Sequence, residues 1–315
     1  MDIQASFTSP GLKKTPPGAH PAESRTLADI HRGRDYLTHE KLWVAFHASH
    51  TVGYRQASFL FTPGRWPGYE WADVRTTPTS ATTLVIGHSD LAVSELHIRE
   101  IRTSSSYRSV FATNLEHDAT LLPGVFDLPL GLPNDERQSR THIVQGDDSL
   151  LYKAWKRGNN RSRPAMPRIY ANFSVRTNPP VRSEVLGILK GLPDVRFGSF
   201  SPSRKGRLKD LEEMSHCGIV VCPRGGGLDT HRVWEALMVG AFPAVLTSGH
   251  SARLLRALNL PHIALESWND LQDSQAVERE FVRCQSQEWD YSGVTASFWI
   301  ERISASTSRL LPAQI

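Results

Sequence analysis

Three consecutive glycines, Gly225 to Gly227, separate an apolar run from a segment with helical periodicity. The β-branched run at residues 219–221 predicts a buried strand that ends before Pro223. From Thr230 onward, apolar residues recur at spacings of one, three and four, which predicts a helix. Residues 242–246 then predict the next strand. Such a strand–loop–helix–strand unit is typical of a parallel α/β sheet, in which ligands bind at the carboxyl ends of the strands.

The chemistry of this loop favours a phosphorylated ligand. Glycine has no Cβ, so a ligand can approach the main chain closely, and the N-terminus of the following helix faces the same place. Thr230 or Asp229 is the expected N-cap. A guanidinium group suits phosphate oxygens, and a carboxylate suits the two vicinal hydroxyls of a ribose. We therefore expect a nucleotide-diphosphate site that comprises Arg224, Gly225, Gly226, Gly227, Asp229, His231, Arg232 and Glu235.

Two common nucleotide motifs are absent from the sequence. There is no G-x-x-x-x-G-K-S/T phosphate loop, and no glycine follows Gly227 at the spacing of the G-x-G-x-x-G fingerprint. ATPase and dehydrogenase functions therefore lose support. The alternative to a nucleotide site is that residues 225–227 form only a tight turn, which binds no ligand.

The stretch from Cys222 to Val245 resembles the donor-site signature of exostosin-like glycosyltransferases. It is most similar to the branch that includes ribitol xylosyltransferase-type proteins, and Gly226 is a mild departure from the pattern of that branch. Further segments resemble related members in the same order along the chain: residues 84–90, residues 111–114 with 128–131, and residues 170–174 with Thr177, Asn178 and Arg182.

The resemblance implies an α/β fold of the GT-B type, with two facing Rossmann-like domains and a C-terminal helix that crosses back. The nucleotide sugar would lie mainly on the C-terminal domain and the acceptor on the N-terminal one. Glu235 would hold the ribose hydroxyls, by analogy with the glutamate of this motif. The alternative for Glu235 is a charge on the helix surface that pairs with His231.

Length and composition are consistent with a two-part globular chain. The 315 residues are 39% hydrophobic and 22% charged. We expect a disordered segment at residues 1–40, an acceptor-side domain at 41–145 and a nucleotide-sugar domain at 146–315. The polar stretch 133–168, with a short helical piece near residues 150–155, separates the two halves.

The charge and the cysteines narrow the possible partners. A net charge of +4 does not require nucleic acid as a partner, so none is expected. The basic run 203–209 is either a solvated loop or a second set of phosphate contacts. The three cysteines are too few for a disulfide framework, and the scattered histidines predict no structural metal.

The N-terminal 33 residues are polar and contain four prolines, so they predict neither a signal peptide nor a membrane anchor. We expect a cytoplasmic protein if the chain is complete as given, and a Golgi protein of the secretory pathway if an N-terminal anchor is missing. No membrane segment is expected within the chain itself.

The periodicity predicts alternating strands and helices along most of the chain. The predicted strands are residues 82–86, 109–112, 168–175, 195–197, 219–221, 242–246 and 263–265. The predicted helices are residues 91–102, 182–190, 208–216, 254–258 and 294–310. Residues 121–130 predict a loop or an edge piece, and residues 42–46 form a short apolar run.

Sugar transfer needs positive charge for the departing diphosphate and a base for the acceptor hydroxyl. The chain has no D-x-D pair, because Asp147 and Asp148 are adjacent, so we expect a metal-independent enzyme without a cofactor. The first candidates for the positive charge are Arg224 and Arg232, followed by Arg182 and Arg207.

The catalytic candidates are Asp90, as the general base, and His88, both after a predicted strand. Asn114 follows a similar strand end. Turn capping is the alternative role for Asp90.

The expected function is therefore transfer of a sugar from a nucleotide-diphosphate donor to a glycan or another hydroxyl acceptor. Two alternatives remain at this stage. One is a catalytically inactive relative that binds a nucleotide or a sugar. The other is an unrelated α/β nucleotide-binding protein that contacts nucleic acid through the basic run 203–209.

Overall fold

The protein is a mixed α/β molecule with parallel strands in two sheets. The computed structural model describes residues 24–42, 45, 59–63, 83–87, 90–104, 107–134, 144–159 and 168–308. The first sheet lies in the N-terminal half of the chain and the second in the C-terminal half. Both sheets are compatible with Rossmann-like units, because helices or longer connections link their parallel strands.

The first sheet has the order β1-β2-β3-β4, with every neighbouring pair parallel. Its strands are β1 (Phe59–Pro63), β2 (Thr83–Gly87), β3 (Ser109–Ala112) and β4 (Val125–Asp127). Side chains alternate between its two faces, as the period of two in a strand requires. Leu84 packs in one buried cluster with Ile98, whereas Val85 packs in another with Trp299.

The second sheet has the order β6-β5-β7-β8-β9 and is also wholly parallel. Its strands are β5 (Arg168–Ala171), β6 (Val195–Phe197), β7 (Gly218–Val221), β8 (Phe242–Leu246) and β9 (Ile263–Leu265). Ile219 and Val220 of β7 contribute to separate buried clusters on its two faces. A strand buried on both faces gives the continuous apolar run that the sequence contains.

Helices connect these strands and cover the faces of both sheets. They are α1 (Leu27–Gly33), α2 (Glu95–Ser104), α3 (His117–Thr120), α4 (Asp148–Asn159), α5 (Pro179–Lys190), α6 (Arg204–Cys217), α7 (His231–Met238), α8 (His250–Ala257), α9 (Ser274–Ser286) and α10 (Ala296–Ser308). The last helix, α10, returns to the first sheet, where Trp299 and Ile303 pack with Val85 and Phe111.

Disorder was predicted for residues 1–40, and this prediction was wrong for residues 24–40. Helix α1 starts with a capping box, in which Thr26 and Asp29 bond each other's main chain. Ile30 and Tyr36 are fully buried in the main cluster of the C-terminal half. The prolines upstream suggested disorder, but Ile30 and Tyr36 pack against residues that are distant in the sequence.

The sequence located most strands to within a few residues. Residues 109–112, 195–197, 242–246 and 263–265 are strands with the predicted bounds. Residues 125–127 within the predicted loop or edge piece form the edge strand β4. The basic run 203–209 lies almost wholly in helix α6 instead of a loop.

Helices α1 and α9 and strand β1 were not predicted. The apolar run 42–46 lies mostly outside the described residues, and the domain boundaries stay a prediction.

His31 of α1 is expected to make stability depend on pH. Its Nε2 donates to the carbonyl of Met238 at 2.7 Å, and its Nδ1 lies 2.7 Å from the hydroxyl of Tyr36. Burial lowers the pKa of His31 from 6.5 to about 4. Above pH 6.5 the imidazole is neutral in the folded and the unfolded chain. As the pH falls towards 4, the unfolded chain binds the proton before the folded chain does, so the free energy of unfolding decreases. The expected loss is about 3 kcal/mol, because each pKa unit corresponds to about 1.4 kcal/mol.

The measurement is chemical denaturation between pH 7 and pH 4 for the wild type and for His31→Gln. The variant should lose less stability over this range than the wild type does. The exposed His216 supplies the control, since His216→Gln should leave the wild-type pH profile intact. Parallel profiles for wild type and His31→Gln would contradict the assignment.

Candidate functional site

The glycine-rich loop follows β7 at the carboxyl edge of the second sheet, and a buried arginine holds it in place. Arg182 of α5 donates through Nε to the carbonyl of Arg224 and through Nη2 to the carbonyl of Pro223, both at 3.0 Å. Asn178 Nδ2 donates to the carbonyl of Gly225, also at 3.0 Å. Arg182 was a weaker candidate for phosphate contact, but these bonds make it a residue that positions the loop.

Side chains from the first sheet meet the loop from the other side. A Cβ at Gly226 would lie 3.2 Å from Oδ2 of Asp90, and one at Gly227 would lie 3.0 Å from the side-chain amide of Asn114. Asn114 also accepts a hydrogen bond from the main-chain N–H of Asp229 at 2.7 Å. A side chain at either glycine would therefore crowd Asp90 or Asn114 of the other half. Asp90 thus lies beside the glycine loop, whereas His88 is outside the described residues.

Asp229 joins the loop to both halves through its buried carboxylate. Oδ2 accepts hydrogen bonds from the N–H of Leu130 and from Nε1 of Trp234, both at 2.9 Å. Oδ1 accepts from the N–H of Thr230 at 2.7 Å and from the hydroxyl of Ser251 at 3.1 Å. Thr230 is the N-cap of α7, but its side chain makes no cap hydrogen bond. The carboxylate of Asp229 is thus occupied by protein donors.

Two arginines and two carboxylates form a buried ion-pair cluster beside the loop. Arg207 of α6 contacts Asp210 at 2.9 Å and also pairs with Glu235 of α7. Arg232 lies 3.5 Å from Asp210 and 3.3 Å from Glu235. Glu235 is therefore neither on the helix surface nor paired with His231, so that alternative was wrong. The ring of His231 instead contacts the carbonyl of Gly131 at 2.7 Å.

The ion pairs of the cluster favour the charged forms of Arg232 and Asp210. Burial lowers the pKa of Arg232, but the carboxylates of Glu235 and Asp210 outweigh burial and raise it above the usual range. Burial raises the pKa of Asp210, but Arg232 and Arg207 lower it below its usual value. Hydrogen bonds from Tyr170 and, at 2.6 Å, from Nδ2 of Asn172 to Oδ1 of Asp210 act in the same direction. With two positive and two negative groups, the cluster is close to neutral as a whole.

The ion-pair cluster lines a cavity of about 290 Å³, which we call cavity A. It opens at the carboxyl ends of β5 and β7, on the side of the loop nearest α6. Phe200, in the connection between β6 and α6, also lines cavity A and is 62% exposed. Other residues that line cavity A include Asn172, Pro223, His231, Pro133 and Gln145.

A second cavity, cavity B, lies on the other side of the loop, nearest β8 and α8. Its volume is about 390 Å³, and its walls come from both halves of the chain. Arg224 lines cavity B, whereas Arg232 lines cavity A, so the two arginines predicted to act together are divided between the cavities. Cys222 borders both, and burial raises the pKa of its thiol, so it remains protonated at neutral pH.

Within the described ranges, no group of three or more His, Cys, Asp or Glu side chains is arranged to hold a metal ion. The helices of this described part of the chain include none that is long and apolar enough to span a membrane. The three cysteines are free thiols.

Comparison with models of known protein families gives no match for this chain. Comparison with curated proteins likewise gives no match.

Several residues of the site could not be singled out from the sequence. Asp210 lies one helical turn after Arg207, but only the fold brings Asn172 to Asp210 and Glu235 to Arg207. Phe200 carried a usable signal, because an aromatic residue in a polar connection after a strand is unusual. The sequence identified Arg207 only as a weak candidate within the basic run.

Proposed function

We propose that this chain is a glycosyltransferase that moves a sugar from a nucleotide-diphosphate donor to a glycan or another hydroxyl acceptor, without a metal. The proposed arrangement is of the GT-B type, with the donor on the second sheet and the acceptor facing the first. The observation that carries the proposal is the meeting of Asp90 with the glycine-rich loop. The carboxylate of Asp90 in the N-terminal half lies beside Gly226, and the loop to which Gly226 belongs separates two cavities, each lined by an arginine of the C-terminal half.

The ion-pair cluster gives the donor a preorganised binding surface. Arginines held by carboxylates cost little reorganisation when a charged ligand arrives, which favours stabilisation of a departing diphosphate. Arg232 is 18% exposed in its side chain and borders cavity A, so its guanidinium is available to a ligand there. Glu235 pairs with Arg207 and Arg232. If it binds a ribose hydroxyl, it would do so while it also holds these two arginines in place.

A screen of nucleotide sugars tests the proposal. Transfer to an acceptor, or hydrolysis of the donor in its absence, should proceed equally well with and without excess chelator. Activity that chelation abolishes and manganese restores would overturn the metal-free assignment. Binding of nucleotide sugars without any turnover would favour the catalytically inactive relative, for which the donor half of the site is sufficient.

Phe200 is expected to bind the nucleobase of the donor by stacking. Its ring is largely exposed where it lines cavity A, so a planar base in the cavity can stack on it. Stacking of a base on an aromatic side chain contributes about 1–3 kcal/mol. Phe200→Ala should therefore weaken nucleoside diphosphate binding by roughly ten- to a hundred-fold, as measured by calorimetry.

Phe197 provides a matched control, because it is 44% exposed on the neighbouring strand β6 but does not line cavity A. Phe197→Ala should leave nucleotide affinity unchanged. Pyrophosphate, which has no base, should bind the wild type and Phe200→Ala equally. Equal losses for pyrophosphate and nucleotide would show that Phe200 supports the fold of the site and does not contact the base.

A further inference from the structure

Exposed basic side chains lie on the outer side of two neighbouring helices, α4 and α6. Nη2 of Arg204 at the start of α6 donates to the hydroxyl of Ser149 at the start of α4 at 3.2 Å, and Arg157 near the end of α4 pairs with Glu212 of α6. The two helices therefore run side by side in the same direction, and their apolar sides pack in the main cluster of the C-terminal half. We call their outer side the basic face, which carries Lys153, Lys156, Arg157, Arg204, Lys205 and Lys209.

The carboxylates that pair with the arginines of the basic face lie beneath them. The side chains of Arg157 and Arg204 are each 57% exposed, whereas those of their partners Glu212 and Asp147 are 20% and 8% exposed. The guanidinium groups therefore face the solvent, and the carboxylates are largely covered. A negatively charged partner that approaches this face meets positive charge first.

The lysines of the basic face are less engaged than its arginines. Lys153, Lys156 and Lys205 are exposed and form no ion pair with a carboxylate among the residues that the structure describes. Lys209 lies 3.9 Å from Glu213 and is also exposed, so its pairing is weak. A lysine ammonium is a compact charge on a flexible stem, which suits non-directional attraction better than the recognition of one ligand geometry. The basic face thus has positive charge available for an external polyanion.

The shape of the basic face favours a wide anionic surface over a nucleic acid. Each helix is about 10–12 Å across with its side chains, so the two together are wider than the major groove of duplex DNA, which is about 12 Å wide. Single strands bind largely by stacking of their bases on aromatic side chains. Helix α6 contains no Phe, Tyr or Trp, and Tyr152 and Trp155 of α4 lie against His31, with ring centroids 6.0 Å and 4.3 Å from that of the imidazole. A bilayer presents anionic headgroups over a wide area and requires neither a groove nor stacking.

We infer that the basic face is a contact surface for a membrane that contains anionic lipids. Its lysines would lie at the level of the headgroups, where the negative surface potential of the bilayer attracts them. Gln145 and Ser201 precede α4 and α6 and both line cavity A, so the membrane would adjoin that cavity. The inference does not depend on the proposed sugar transfer, because membrane binding can be measured without a sugar donor.

The test is sedimentation of the full chain with vesicles of phosphatidylcholine alone and with vesicles in which about one third of the lipid is phosphatidylserine. Binding should require phosphatidylserine and should weaken as the salt concentration rises, because ions screen exposed charges. The triple variant Lys153→Gln, Lys156→Gln and Lys205→Gln should bind the anionic vesicles about 100-fold more weakly, since each lysine near such a surface contributes about 1 kcal/mol.

The control is a second triple variant, Arg176→Gln, Lys190→Gln and Arg279→Gln. It removes exposed positive charges from the same half of the chain but outside α4 and α6. Both triple variants have the same net charge, yet the second should bind the vesicles as the wild type does. Equal losses in the two variants would attribute the binding to net charge and overturn the inference.

The nucleic-acid alternative is tested by adding duplex DNA to the vesicle-bound wild type, at an equal concentration of phosphate charges. Retention of the protein on the vesicles supports the membrane contact. Release into a complex with DNA would assign the basic face to nucleic acid and overturn it. A wild type that does not bind anionic vesicles at low salt would also overturn it, even if the protein transfers sugars.

Discussion

Asp90→Asn is expected to lower sugar transfer by about 10²–10⁴-fold while nucleotide affinity changes little. The carboxylate lies beside Gly226 and does not line cavity A. A base in this position can take the proton of an acceptor hydroxyl without contacting the nucleotide. The amide in the variant keeps the size of the side chain but loses the basic oxygen, so chemistry and binding should separate.

Both quantities have to be measured on one preparation, as turnover with an accepted acceptor and as affinity for a nucleoside diphosphate. Asp118→Asn is the matched control, because Asp118 is an exposed carboxylate in the same half of the chain. Turnover near that of the wild type in Asp90→Asn would return Asp90 to a turn-capping role. A parallel loss of turnover and affinity would instead indicate that Asp90 supports the loop.

The fold was predictable wherever one periodicity dominated. The buried strands β3, β7 and β8 are continuous apolar runs because both of their faces are covered. Helix α7 followed from the spacing of Val233, Trp234, Leu237 and Met238, all of which are buried. Helix α1 was missed because its apolar residues are few and its partner surface lies some two hundred residues away.

The candidate site was predictable in its location but less so in the roles of its residues. A glycine-rich loop after a buried strand indicates the edge of the sheet where ligands usually bind. Asp90 lies beside this loop. The sequence does not reveal which way a charged side chain points. Asp229 and Glu235 were both expected to contact the donor, yet both are buried and bonded to protein groups. Their partners come from residues distant in the chain, which no local pattern records.

Asp229→Ala is expected to lower the free energy of unfolding by at least about 3 kcal/mol. Removal of the carboxylate leaves the N–H groups of Leu130 and Thr230 and the indole N–H of Trp234 without acceptors. Each unpaired buried donor costs about 1–3 kcal/mol. The hydroxyl of Ser251 can rotate towards another acceptor, so it adds little. Asp229→Asn retains one carbonyl oxygen and should therefore lie between the wild type and Asp229→Ala.

Chemical denaturation of the wild type, Asp229→Asn and Asp229→Ala measures their free energies of unfolding. Asp118→Ala is the surface control, and its free energy of unfolding should lie within about 0.5 kcal/mol of that of the wild type. Because Leu130 belongs to the segment after the first sheet and Trp234 to a helix of the second, the loss should also loosen the contact between the halves. The main-chain amide of Leu130 should then exchange its hydrogen faster in Asp229→Asn than in the wild type. If Asp229→Ala were as stable as the wild type, the carboxylate would not be holding these donors, and its assignment to the donor site would regain support.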